Sequence, residues 1–154
     1  MFDRHVLDLD LDREADDIAA RLREIVTRTL LRRGVVVAVS GGIDSSTTAA
    51  LAVRAFGPAR VFGLLMPERD SRGESTRLGR RLCEHLGIAH AVEDIQPTLA
   101  AIGCYRRYDD AVRRVFPDYG EGWKSKIVLP RDLLDSDRVN VYRVVVEDPR
   151  GERH

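Results

Sequence analysis

The chain has 154 residues, a length that suits one domain. Lysine plus arginine and aspartate plus glutamate both number 25, so the formal net charge is zero, which leaves no electrostatic footprint for nucleic acid or an anionic membrane. No apolar run has transmembrane length, no signal-peptide core stands near Met1, and the two cysteines, Cys83 and Cys104, form no CxxC, so a reduced, cytoplasmic protein is expected.

Met1 to Asp12 alternates loosely and reads as a leader. From Asp12 to Arg33 the spacing predicts a helix with Ile18, Leu22, Ile25, Val26 and Leu30 on one face, Asp12 as N-cap and Gly34 as the terminating glycine. Val35–Val39 is an unbroken apolar run, which suits a strand buried on both faces. Ser40-Gly41-Gly42 turns the chain into an alanine-rich helix that ends near Phe56, before Gly57-Pro58. Val61–Met66 predicts a second strand closed by Pro67, and a polar loop, 68–73, follows. A helix is predicted from Glu74 to His85, stopped by Gly87, then a third strand over Ile88–Val92. Helix, then β-α-β-α-β with short connections, predicts a parallel sheet in the order 3-2-1. Thr98–Val115 reads as one helix and 117–126 as a charged, glycine-rich loop. Val139–Val146 has strand composition, and Pro149-Arg150-Gly151 is a turn signal.

The sequence Ser40-Gly41-Gly42-Ile43-Asp44-Ser45-Ser46 carries the chemistry. A strand, a glycine turn and a helix N-terminus aim backbone N–H groups and the positive end of a helix dipole at one spot, an anion site. Two glycines let phosphate oxygens approach the backbone, and Ser40, Ser45 and Ser46 add hydroxyls. A carboxylate at Asp44 does not itself favour an anion, so it suggests a Mg²⁺ bridging to phosphate oxygens. No lysine follows the glycines, which sets this loop apart from GxxxxGK[ST].

SGGIDSS after a valine strand resembles the PP-loop of the N-type ATP pyrophosphatases, and within that group NAD synthase. The likeness extends through Gly63-Leu64-Leu65-Met66-Pro67, Ser71, Glu74-Ser75 and Leu82–Ile88, and covers about Asp12 to Ile95. It implies a Rossmann-like α/β fold of the adenine nucleotide alpha hydrolase type, a parallel sheet with helices on both faces, incomplete on its C-terminal side. It implies ATP held with its pyrophosphate on Ser40–Ser46, Asp44 helping to bind Mg²⁺, and backbone near Leu65 and Met66 meeting adenine. The reaction implied is adenylation of a carboxylate, that of nicotinic acid adenine dinucleotide, with release of pyrophosphate before attack by ammonia. A homodimer is also implied. No glutaminase segment is recognisable, so ammonia is free or comes from a separate protein.

The likeness has limits. The family's later Asn-x-x-x-Arg helix has no match, because Asn140 and Arg143 are one position too close, and the later substrate loops are absent, so a truncated chain is expected. Two other readings stand beside the ligase: a PP-loop enzyme that modifies tRNA, against which the neutral charge and missing CxxC argue, and a non-catalytic nucleotide-binding remnant. Cys83 reads as a packing residue. Cys104 opens a basic-aromatic run, Tyr105-Arg106-Arg107-Tyr108, read as a solvated helix face. His85 and His90 lack metal-ligand spacing. Lys124 and Lys126, beside Trp123, are candidates for a second phosphate contact, and Arg69, Arg72 and Arg77 for an acidic substrate. Val35–Val39 would be a bare edge strand in so short a chain, so cover by Val139–Val146 or by a second subunit is expected.

Overall fold

In the computed structural model, which describes residues 8–71, 73–129 and 142–154, the first element is helix α1, Leu11–Glu24. Its cap is Asp10, not Asp12: the Asp10 carboxylate accepts the Arg13 N–H at 3.2 Å, and Asp12 instead places negative charge in the first turn. The helix widens into a π turn over Ile25–Thr29, where the Leu30 N–H reaches the Ile25 carbonyl at 2.9 Å. The reversal then falls on Leu31, at φ +52°, rather than on Gly34. Gly34 is needed for another reason. A Cβ there would stand 2.4 Å from the Arg60 carbonyl oxygen, so only glycine lets these two backbones meet.

Strand β1, Val35–Ala38, leads through the glycine turn to α2, Ile43–Phe56. A short 3₁₀ turn, Pro58–Arg60, enters β2, Val61–Leu65. Helix α3, Gly73–Leu86, then crosses to β3, Ala89–Val92. β2 lies between β1 and β3 and is parallel to both, with Val35 opposite Val61 and Leu65 opposite Val92. The fold is α/β with a parallel sheet in the predicted order.

Two crossovers of the same hand that advance in the same direction put their helices on the same face. Val37, Val39, Val61 and Leu65 accordingly pack with Ala49 and Ala52 of α2 and Cys83 of α3 in one buried cluster. Alanine at Ala49, Ala52 and Ala55 lets α2 lie close to its neighbours, and all three are buried. Among the described residues the opposite face is open: Val36 is 66% exposed and Phe62 36%. The expectation that the valine run is buried on both faces is therefore corrected, since α2 and α3 cover one face and the described residues leave Val36 exposed on the other. β1 pairs with β2 alone among the described residues. Cover of that edge by Val139–Val146 is also corrected as far as it is described. Residues 139–141 lie outside the described residues, and Arg143–Glu147 pairs elsewhere.

The described residues divide into two compact units that meet in sequence at Thr98 and Leu99. Near that junction the predicted helix over Thr98–Val115 is two helices, α4 (Gln96–Ala101) and α5 (Cys104–Arg113). They are broken at Gly103, whose left-handed φ of +73° no helix interior can hold. In the second unit Lys124–Val128 is strand β4 rather than loop, and runs antiparallel to β5, Arg143–Glu147. Val112, Tyr119 and Val146 form its core, with Phe116 and Trp123 against them. The predicted turn at Pro149–Gly151 is present: the Asp148 carboxylate accepts the N–H groups of Arg150 and Glu152, both at 2.9 Å.

Candidate functional site

The parallel ladder runs past the strand ends. Val39 N–H donates to the Leu64 carbonyl at 2.9 Å, and Glu93 N–H to the Leu65 carbonyl at 2.8 Å. Ser40, Met66 and Glu93 therefore leave the sheet along its carboxyl edge, where ligands bind in open α/β sheets. Ser40 follows a buried residue, Val39, so the turn starts from a fixed point.

The turn is tied by its own hydroxyls. Ser45 Oγ accepts the Ser40 N–H at 3.1 Å and lies 3.0 Å from Ser40 Oγ and 3.1 Å from the Gly42 carbonyl. One proton arrangement satisfies the set: Ser40 Oγ–H donates to Ser45 Oγ, Ser45 Oγ–H donates to the Gly42 carbonyl, and Gly42 N–H reaches Ser40 Oγ at 3.4 Å. Ser46 donates twice to the same Gly42 carbonyl, from Oγ at 2.7 Å and from N–H at 3.1 Å. The carbonyl is thus drawn inward, and the amides of the first α2 turn are left outward. Those of Ile43, Asp44 and Ser45 find no acceptor among the described residues, and Gly42 offers no side-chain cap.

The two glycines differ. Gly41 has φ +79°, and a Cβ on it would stand 2.5 Å from the Ser75 carbonyl oxygen and 3.1 Å from Leu78 Cβ. Gly42 is extended, at φ −85° and ψ 166°, and a Cβ there would meet only Ser40 Oγ, at 3.5 Å. Gly41 is glycine for the fold. Gly42 has no such need, and apart from Ser40 Oγ no described atom lies within 4 Å of where its Cβ would stand. Asp44 is exposed, and its carboxylate has no hydrogen bond or ion pair among the described residues. The Ile43 side chain is 81% exposed, so only its amide belongs to the turn.

Leu65 is 1% exposed and anchors the core, with its carbonyl already taken by Glu93, whereas Met66 is 41% exposed at the strand end. The two are consecutive, yet Met66 is the one accessible to a ligand. The Ser71 hydroxyl accepts the Glu68 N–H at 3.1 Å, which closes the loop after Pro67. Of the arginines weighed for an acidic substrate, Arg69 pairs with Asp70 at 3.1 Å and Arg77 with Glu74 at 3.3 Å, while Arg72 lies outside the described residues. Lys124 pairs with Glu147 at 3.2 Å on the β4–β5 ladder rather than standing in a loop, and Lys126 lies on the same strand. Cys83 is fully buried, burial pushes its thiol up, and its Sγ lies under Gly63, where a Cβ would come within 2.7 Å. It is a packing residue, as expected.

Sequence reasoning missed the contact between the turn and α3. Ser75, Leu78 and Gly79 form the surface on which Gly41 rests. A signal was present: Gly79 and Cys83 are small residues one helical turn apart, the mark of a helix lying close on a sheet.

Comparison with known proteins bears on the same segment. The NAD synthase family model matches residues 14–115. The NH(3)-dependent NAD(+) synthetase of Mesorhizobium japonicum is 53% identical over 147 residues, 96% of this chain and 46% of that protein. That of Rhizobium meliloti is 50% identical over 153 residues, 99% of this chain and 45% of that protein. The chain thus spans about half the length of the curated relatives it matches. Among solved structures, the NH3-dependent NAD synthetase from Campylobacter jejuni superimposes with a TM-score of 0.58 at 28% identity, over 71% of this chain and 50% of that one. A glutamine-dependent NAD+ synthetase from Acinetobacter baumannii, solved with ADP, superimposes at 0.56 with 23% identity, over 70% of this chain and 19% of that one, and bears on the fold alone. With a family model matched across α1, the parallel sheet and the turn at its carboxyl edge, the chain belongs to the NAD synthase family.

Proposed function

We propose that this chain carries the ATP site of an amide-forming ligase of the NAD synthase type. The observation that carries the reading is the set of unpaired amides at Ile43, Asp44 and Ser45 beside the bare face of Gly42, at the end of β1. Amides fixed by a helix and a strand need no reorganisation when a polyphosphate arrives, and they favour the pyrophosphate charge that grows as ATP is cleaved. Ser40, Gly41, Gly42, Ile43, Asp44, Ser45 and Ser46 hold the phosphates, with the Ser40 Oγ–H turning from Ser45 Oγ to a phosphate oxygen. Met66, accessible at the end of β2, faces the adenine. Asp44, exposed and uncommitted, would hold a Mg²⁺, which would supply charge neutralisation there.

The names of the relatives, NH(3)-dependent NAD(+) synthetases, support ammonia as the nitrogen source and NAD+ as the product. The carboxylate of nicotinic acid adenine dinucleotide attacks the α-phosphorus, and pyrophosphate leaves. Ammonia then attacks the acyl carbon, AMP leaves, and the amide is formed. Such chemistry asks for no protein nucleophile, in keeping with a turn built of amides and hydroxyls. Ammonia enters free or from a separate glutaminase. A homodimer supplies cover for the β1 edge and the open sheet face, and the enzyme works in the cytoplasm, where Cys83 and Cys104 stay as free thiols.

The test is ATP binding by calorimetry, followed by ATP–pyrophosphate exchange with nicotinic acid adenine dinucleotide and Mg²⁺. Saturable binding and exchange are expected. Binding without exchange would leave a nucleotide-binding module and overturn the ligase, exchange only with another carboxylate would overturn the substrate, and absence of binding would overturn the site.

A further inference from the structure

Gly41 does not rest on a random part of α3. A Cβ on Gly41 would lie 2.5 Å from the Ser75 oxygen and 3.3 Å from the Gly79 nitrogen. These two atoms are partners in the α-helical i to i+4 ladder. The turn is thus seated on one rung of helix backbone. Gly79 is buried, and on its other side a Cβ would meet Leu65 Cδ2 at 2.8 Å and Val39 Cγ1 at 3.3 Å. Val39 immediately precedes Ser40, and Leu65 immediately precedes Met66. Both are core residues, at 4% and 1% exposure, with little room to yield. One glycine therefore touches the turn through its amide and the last side chains of both site-bearing strands through its missing Cβ.

We infer that Gly79 is a positioning residue for the nucleotide turn: its lack of a side chain sets the height of α3 over β1 and β2, and that height seats Gly41. The inference rests on the reading of Ser40–Ser46 as the ATP turn. Ordinary carbon contact begins near 3.5 Å, so an alanine methyl facing Leu65 asks for a shift of about 0.7 Å. Carried along a rigid helix, the shift moves the Ser75–Gly79 rung away from Gly41 and frees the turn to drift. A misplacement of about 1 Å costs on the order of a hundredfold where geometry matters, so a shift of this size, partly absorbed by Leu65, is worth about tenfold in affinity.

The test uses the full chain and ATP with Mg²⁺ as the probe. Gly79→Ala is expected to weaken ATP binding about tenfold in the folded protein. Gly73→Ala, on the same helix and with nothing within 4 Å of its Cβ, leaves the affinity unchanged. Shortening the opposing side chain removes the conflict, so Leu65→Val/Gly79→Ala binds ATP within about twofold of Leu65→Val alone, a coupling that additive damage does not give. Gly79→Ala binding ATP as tightly as the native chain overturns the inference, even if its thermal midpoint falls. Should that variant not fold, the double variant decides, and tenfold weaker binding than Leu65→Val overturns the inference equally. A native chain that does not bind ATP sinks the ATP reading and this inference together.

Discussion

Adjacent glycines with different structural needs offer a direct test of the turn. Gly41→Ala places a β-carbon on a residue at φ +79° and 2.5 Å from the Ser75 carbonyl oxygen. Holding alanine in the left-handed region costs about 1–3 kcal/mol. Forcing the methyl against helix backbone, which has no rotamer to yield, costs about another 1–3 kcal/mol. The expected loss is about 2–6 kcal/mol, a large part of the ~5–15 kcal/mol that holds a domain together. Gly42→Ala meets neither obstacle, and its stability stays within about 0.5 kcal/mol of the native chain. Its methyl instead enters the face proposed for phosphate, so ATP affinity is expected to fall more than about tenfold, or ~1.4 kcal/mol. Urea unfolding followed by circular dichroism reads the first effect, and calorimetric titration with ATP and Mg²⁺ reads the second. The reasoning fails on the first count if Gly41→Ala is as stable as the native chain. It fails on the second if Gly42→Ala binds ATP with unchanged affinity.

The remaining predictions concern smaller groups. Ser45→Ala removes the acceptor of the Ser40 N–H and one donor to Gly42, and is expected to cost about 1 kcal/mol in urea unfolding, with ATP affinity falling as well. Asp16 accepts a hydrogen bond from Arg54 at 2.8 Å, and this bond holds its carboxyl below the ordinary 3.8. A lowered folded value means that the contribution is complete above the unfolded value and lost as pH falls through the folded one. Asp16→Asn is therefore less stable than the native chain at neutral pH, and the difference closes in strong acid. A gap independent of pH would show that the pair does not act through charge. Of the two thiols, exposed Cys104 reacts with Ellman's reagent in the native state, and buried Cys83 reacts only in denaturant.

Most of the sheet was legible because its signals are local. Val35–Ala38 and Val61–Leu65 are short apolar runs with glycine or proline close by, Ala89–Val92 is weaker because His90 interrupts it, and their parallel order follows from connection length and handedness. The turn was legible because its residue types are tied to one conformation. Less legible were choices between chemically equal neighbours. Asp10 and Asp12 are both good caps, and only the placement of the Arg13 amide decides between them. Leu31 takes the left-handed position although Gly34 stands close by, because Gly34 is committed to the Arg60 carbonyl, a contact set by the 3₁₀ turn before β2 and invisible in α1. The open face of β1 was misread for a related reason. Val36 looks like a buried valine, but burial depends on what the rest of a fold lays over it, not on the strand.

The same dependence explains how a family likeness becomes geometry. Glu74-Ser75 carries the resemblance without a chemical role of its own, and Glu74 pairs with Arg77 at the surface. What matters at Ser75 in this fold is its carbonyl, which any residue would supply, set against a glycine far away in sequence. The demand for a particular residue falls on Gly41 and Gly79, which must be small for the rung to reach the turn. Side chains at this site therefore do less to place the turn than their absence does. A substitution that adds one methyl at Gly41 or Gly79 is expected to perturb nucleotide binding more than removal of the Ser75 hydroxyl. Ser75→Ala, which leaves the carbonyl and the helix in place, should bind ATP as the native chain does, and a tenfold loss in that variant would move the contact from backbone to side chain.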